Sequence, residues 1–206
     1  MNTTNGISDK YKALRELTKG NYTAFLYDCD GTLADNMEDH KETYVRVAAE
    51  RGVEIDPAIV DELAGFPTKA VVEEINKRHH SKLEPEEFDK AKSDLFYNEF
   101  IPKTKPMEYV VEHLKASAGR YKIAVVSGSG RKTITKTLEV LGIESLVDVM
   151  VTSEDYEKGK PNPDPFLIAA EKLGVEPKLC IVFEDGEPGV KAAEAAGMRS
   201  IRVDQI

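Results

Sequence analysis

Asp28 and Asp30 stand one residue apart, with Gly31 next, in the stretch Phe25-Leu26-Tyr27-Asp28-Cys29-Asp30-Gly31-Thr32-Leu33. Two carboxylates so placed repel each other and lose water on burial. Nothing offsets that cost unless a cation or a chemical step uses them. The apolar run Ala24–Tyr27 just before them fits a buried parallel strand. Side chains alternate along a strand, so Asp28 and Asp30 share a side and Cys29 points away. Gly31 permits a sharp turn and a close approach of backbone to a ligand. Such a strand tip suits a divalent cation and a phosphoryl group. In isolation, Asp-x-Asp-Gly reads better as a strand end with a solvated turn. Three further segments reverse that preference.

The first is Ser127-Gly128-Ser129-Gly130, which follows an apolar strand pattern over residues 121–126. A hydroxyl, exposed N–H groups and the start of a helix are what a phosphate needs, although a Gly/Ser loop alone is an ordinary turn. The second is Lys158-Gly159-Lys160-Pro161-Asn162-Pro163-Asp164-Pro165. Its prolines stiffen the segment and hold Lys160 at a fixed point, while Lys158 reads as a surface residue. The third is Glu184-Asp185-Gly186 after the apolar pattern at 179–183. Four carboxylates near one point call for a cation, and hard oxygen ligands favour Mg2+.

These segments need a scaffold that brings strand ends together. Residues 8–19 carry a short amphipathic helix pattern, with Ser8 a candidate N-cap and Gly20 a stop. Residues 37–100 are helical in pattern, at 43–51, 58–64, 69–80 and 86–100, with no strong strand. From residue 103 helices and strands alternate. Helices are expected at 106–118, 131–141, 164–173 (capped by Asp164) and 189–196, and strands at 121–126, 147–152, 179–183 and 199–203. This pattern predicts an α/β fold, a doubly wound parallel sheet interrupted by a helical insert. In such sheets ligands bind beyond the carboxyl ends of the strands. All four chemical segments fall at predicted strand tips.

The chain has 206 residues, enough for one core domain plus an inserted module. With 28 Lys and Arg against 37 Asp and Glu, its net charge is -9, and no basic stripe argues for nucleic-acid binding. An anionic substrate then needs a locally positive pocket. Cys29 and Cys180 each fall in a predicted buried strand and read as reduced core residues. No apolar stretch is long enough to span a membrane and residues 1–20 carry no apolar signal core, so a cytoplasmic protein without membrane partners is expected.

In this order the four motifs, Asp28-Cys29-Asp30-Gly31-Thr32, Ser127-Gly128-Ser129, Lys160-Pro161 and Glu184-Asp185, resemble those of the haloacid dehalogenase-like superfamily of Mg2+-dependent phosphotransferases. The resemblance runs from Tyr22 to Val203. Phe183-Glu184-Asp185-Gly186, Gly189-Val190 and Ala196-Gly197-Met198 look like the beta-phosphoglucomutase and sugar-phosphatase branch. It implies a catalytic core at 1–35 and 103–206, with 1–20 an extension, and a four-helix cap at 36–102 hinged near 34–36 and 103–106. It further implies that Asp28 is the nucleophile forming an aspartyl-phosphate, and that Asp30 is the general acid and base. Mg2+ would sit on Asp28, the Asp30 carbonyl, Asp185 and Glu184. Gly31, Thr32, Ser127, Gly128 and Lys160 would bind phosphate.

Substrate contacts implied by the resemblance are Asn36, His40, Gly65, Thr68, Ser129 and Arg131. An exposed position for His40 on the first cap helix is an equal expectation. His79 and His80 are expected in solvent and His113 on an exposed helix face. Thr68 stands where a mutase would carry an arginine, Ala64 replaces a lysine, and Gly130 replaces a basic residue, although Arg131 and Lys69 could compensate in part. Gly65-Phe66-Pro67-Thr68 instead resembles the loop of fructose-1-phosphate and 6-phosphogluconate-type phosphatases. The expected activity is hydrolysis of a small phosphorylated sugar or sugar acid by a monomer or weak homodimer. A mutase and a non-catalytic sugar-phosphate sensor are the alternatives. A 2-haloacid dehalogenase, which needs no Mg2+, is disfavoured by Asp30 and the Glu184-Asp185 pair.

Overall fold

The computed structural model describes residues 3–63 and 67–206. Ala64 and Gly65 lie outside the described residues. The chain divides into two compact units, one formed by 1–35 with 104–206 and the other by 36–103.

In the first unit, α1 (Thr3–Leu17) leads into β1 (Ala24–Tyr27) and the two-residue β2 (Ala34–Asp35). The second unit carries α2 (Met37–Ala49), α3 (Ala58–Glu62), α4 (Thr68–His79) and α5 (Pro85–Leu95), which a π turn at Phe96–Phe100 extends. The chain then returns through β3 (Lys105–Pro106), α6 (Glu108–Ser117), β4 (Lys122–Val126), α7 (Arg131–Leu141), β5 (Val149–Val151), α8 (Asp164–Leu173), β6 (Cys180–Glu184), α9 (Glu187–Ala195) and β7 (Arg199–Arg202).

The five long strands form one parallel sheet in the order β5-β4-β1-β6-β7. β1 is central because all four of its residues are apolar and fully buried, as a strand covered on both faces requires. Its side chains alternate between two cores. Phe25 and Tyr27 pack with Leu14, Val110, Leu114, Ile134 and Leu138 from α1, α6 and α7. Ala24 and Leu26 pack with Phe166, Ala169, Ala192 and Ala193 from α8 and α9. The sheet is therefore doubly wound, and each buried large side chain contributes roughly 1.5–3 kcal/mol. The second unit has its own apolar core, built on Tyr44, Val47, Val72, Ile75 and Phe88.

Several expectations are corrected. α1 starts well before Ser8, which lies inside the helix rather than capping it. Asp164 is the first helical residue of α8, Pro163 holds the cap position, and no side chain caps it. The helix expected from residue 106 begins at Glu108, because Pro106 belongs to β3, which pairs antiparallel with β2 (Ala34 opposite Pro106, Asp35 opposite Lys105), a ribbon too short to leave a periodic signal. His113 is not exposed. It is 3% accessible, with Nδ1 2.9 Å from the Tyr27 hydroxyl and Nε2 3.2 Å from the Thr18 hydroxyl. It lies on the face of α6 that carries Val110, Leu114 and Ser117, and its ring packs 5.4 Å from Phe25 and 5.1 Å from Phe183 of the sheet. Burial and then the Arg15 charge push the His113 pKa down to about 4. His79 and His80 are exposed, and Cys29 and Cys180 are buried free thiols, as expected.

Candidate active site

Asp28 follows β1 directly, its N–H donating to Phe183 O at 2.9 Å, so the sheet fixes its backbone. The chain then folds back on itself. Leu33 and Ala34 both donate to Cys29 O at 2.9 Å, and Gly31, at φ +83, donates to Ala34 O at 2.8 Å. A β-carbon is disfavoured at that angle, which is why glycine stands there. The Thr32 hydroxyl is fully buried and donates to Asp185 Oδ1 at 3.0 Å. It thereby orients a carboxylate that belongs to a different strand tip.

Lys160 closes the site from the loop before α8. Its Nζ donates to Asp28 Oδ1 at 2.6 Å and to Val126 O at 3.0 Å, and lies 2.6 Å from Glu184 Oε1. Its ammonium also sits 5.0 Å from the centre of the Phe166 ring. Burial opposes the Lys160 charge, but Asp28 and Glu184 outweigh it and raise its pKa, so the amine stays protonated. Burial raises the Asp28 pKa, the Lys160 charge counters this, and Glu184 and Asp185 add to the rise. Burial and then Glu184 lift Asp185 to about 6. Lys158 is exposed and takes no part.

One carboxylate oxygen from each of Asp28, Glu184 and Asp185 lies within 4.8 Å of the others. Three acids around one ammonium leave excess negative charge, and their donors are all hard oxygens. This donor set fits Mg2+. The Asp30 carboxylate is outside that set and accepts from the Ser129 hydroxyl at 2.8 Å. Asp28 and Asp30 therefore have different surroundings, the condition for two carboxylates to take different roles.

The loop after β4 is held from both sides. Ser127 donates its N–H to Val151 O at 3.0 Å, its hydroxyl accepts from Ser129 N at 3.0 Å, and its carbonyl accepts from the Tyr156 hydroxyl at 3.1 Å. Gly128 is exposed, and its position is open to a bound group. Arg131 does not stand alone, because its Nη2 donates to Asp155 Oδ2 at 2.5 Å. The same oxygen accepts from Thr152 N–H and hydroxyl at 2.8 and 3.0 Å, and Lys172 donates to the other at 2.7 Å. Sequence reasoning missed Asp155 and Tyr156. The Thr152-x-x-Asp155 spacing after a strand was the available signal, since a short acid can bond back to the turn it closes.

In the second unit, His40 stacks on Phe96 at 4.0 Å and lies 3.5 Å from Lys92 Nζ. Lys92 sits 5.0 Å over the Tyr44 ring, whose hydroxyl donates to Thr68 Oγ1 at 3.4 Å. Lys92 was also missed, because lysine on a helix normally reads as solvated. Asn36 is 1% exposed at the N-cap position of α2.

A parallel sheet with acids, a lysine and an N–H-bearing loop at its carboxyl tips defines an enzyme of the phosphotransfer class. The model of haloacid dehalogenase-like hydrolases matches residues 25–203, and the chain belongs to that family as a phosphatase-type enzyme. It is 30% identical over 182 residues to fructose-1-phosphate phosphatase YqaB of Escherichia coli K12, covering 88% of this chain and 96% of that protein. It is 28% identical to a phosphorylated carbohydrates phosphatase of Thermotoga maritima, covering 86% and 83%. Among solved structures, CbbY of Rhodobacter sphaeroides in complex with phosphate superposes with a TM-score of 0.77 over 87% of this chain and 84% of that one, at 22% identity. At that identity the likeness speaks to the fold. Among the described residues, no helix is long and apolar enough to cross a membrane.

Proposed function

We propose that the protein hydrolyses a small phosphorylated sugar or sugar acid with Mg2+ bound by Asp28, Glu184, Asp185 and the Asp30 carbonyl. The observation that carries this reading is the convergence of Lys160, from the loop before α8, on Asp28, Glu184 and Asp185 at the adjacent tips of β1 and β6. The cation, when bound, shields the approach of an anionic nucleophile to an anionic phosphate. Asp28 attacks phosphorus, forming an aspartyl-phosphate as the ester oxygen leaves. Asp30, kept apart by its bond from Ser129, gives that oxygen its proton. It then takes one from the water that cleaves the acyl phosphate. Lys160, Ser127 and the Gly128 N–H carry the phosphoryl charge. Thr32 keeps Asp185 aimed at the cation.

In this reading the 36–103 unit is a cap, and its cluster of His40, Thr68 and Lys92 supplies groups that select the sugar. The names of the two relatives support a phosphorylated carbohydrate. The pairing of Arg131 with Asp155 supports a single-phosphate substrate over the second phosphate that a mutase must grip.

Phosphate release from fructose 1-phosphate, 6-phosphogluconate, glucose 6-phosphate and beta-glucose 1-phosphate, with and without Mg2+, tests the proposal. Metal-dependent release with one preferred substrate is expected. Interconversion of the glucose phosphates without net release would make the protein a mutase. Binding without turnover would make it a sensor.

A further inference from the structure

A cavity of about 670 Å3 opens at the end of the core away from the catalytic tips. It lies between α1 and α6, beside Phe25 in β1 and Tyr121 just before β4, at the amino end of the sheet. Its volume is that of a small-molecule site. Its lining carries Lys12, Arg15, Lys19 and Arg120 against a single acid, Glu16, in a protein of net charge -9.

Glu16 is taken by Lys19 at 2.6 Å, and Lys12 reaches Asp9 at 3.3 Å. Among the described residues, neither Arg15 nor Arg120 has a carboxylate partner. Each guanidinium instead lies 5.9 Å from a tyrosine ring centre, Arg15 at Tyr11 and Arg120 at Tyr121. A guanidinium set against an aromatic face keeps its edge donors available for the paired oxygens of a phosphate or carboxylate. The wall behind them is firm, since Tyr121 stacks on the buried Phe25 at 4.2 Å. One side of the cavity is α1, which precedes the residues matched by the family model, so the pocket is not part of the shared catalytic scaffold.

We propose that this cavity binds a small multiply charged anion, with Arg15 and Arg120 each engaging one phosphate or carboxylate group. The inference is independent of the reaction proposed for the strand tips.

The test is an NMR titration of the 15N-labelled full chain with inorganic pyrophosphate and, separately, with citrate. Passing protein and probes over a chelating resin beforehand keeps divalent cations from the catalytic end without adding a competing polyanion. Saturable shifts of amides at 11–19 and 116–121 are expected with at least one probe. The probe that saturates tells phosphate from carboxylate preference. In Arg15→Gln/Arg120→Gln the apparent Kd should rise roughly tenfold or more. Should the double variant fold poorly, each single change should weaken binding by a smaller factor. Shifts that do not saturate, that stay at 127–131 and 158–160, or that are unchanged by these substitutions overturn the proposal.

Discussion

The Glu184 carboxylate occupies the space that a side chain on Gly189 would need. A Cβ there would meet Glu184 Cδ at 1.9 Å, although Glu184 ends β6 and Gly189 lies in the first turn of α9. The missing side chain is what lets Glu184 lie buried and face Lys160. Gly189→Ala should therefore push the carboxylate out of place and lower kcat/KM by about tenfold or more, with the fold kept. Steady-state kinetics and circular dichroism decide it. Wild-type kinetics would show that Glu184 can relocate freely.

Among the described residues, Lys160 is the one cation that pairs with both Asp28 and Glu184. Lys160→Ala leaves two buried acids without it, a change that costs on the order of 3–5 kcal/mol for a buried pair. We expect a marked fall in Tm in EDTA and a partial recovery as Mg2+ is added. Activity should fall by orders of magnitude even at saturating Mg2+. An unchanged Tm and rate would mark Lys160 as dispensable.

Asp28→Asn keeps the size of the side chain and removes its nucleophilic charge. Mg2+-dependent turnover should disappear while the thermal transition remains. Retained turnover would take Asp28 out of the nucleophile's role.

Arg131 is bound to Asp155 and is half-buried. Arg131→Ala should change KM for a monophosphorylated sugar by less than about threefold, the scale of a partly exposed ion pair. A large rise in KM would show that Arg131 leaves Asp155 to bind substrate.

His113 contributes a pH dependence of stability. Its pKa is about 4 in the folded chain and about 6.5 when unfolded. The unfolded state thus binds more protons between those values. The stability His113 supplies is complete above pH ~6.5 and is lost as pH falls through ~4, a change on the order of 3 kcal/mol. Denaturant unfolding from pH 7 to 4 should show this slope, and His113→Gln should flatten it.

Much of this was legible in the sequence. Ala24–Tyr27 fits a buried parallel strand, and Asp28, Ser127 and Asp185 could be placed at strand tips, with Lys160 in the loop beyond another, because α/β alternation and the apolar runs are local signals. The relation of those tips followed from the parallel topology. Contacts across the chain were not legible. Nothing local tells that Thr32 reaches Asp185, that Asp155 takes Arg131, or that Lys92 stands beside His40, because each depends on which rotamer meets which neighbour after packing. His113 is the plainest case. It shares one face of α6 with Val110, Leu114 and Ser117, and the packing of that face on the Phe25, Tyr27 and Phe183 rings of the sheet, with Thr18 beside it, is what buries it. The sequence by itself determined the layers and the chemistry at the strand ends, since both arise from short-range periodicity and residue type. Tertiary structure alone decided burial, partner choice and proton affinity, since these depend on groups distant in the chain that remove water from one another.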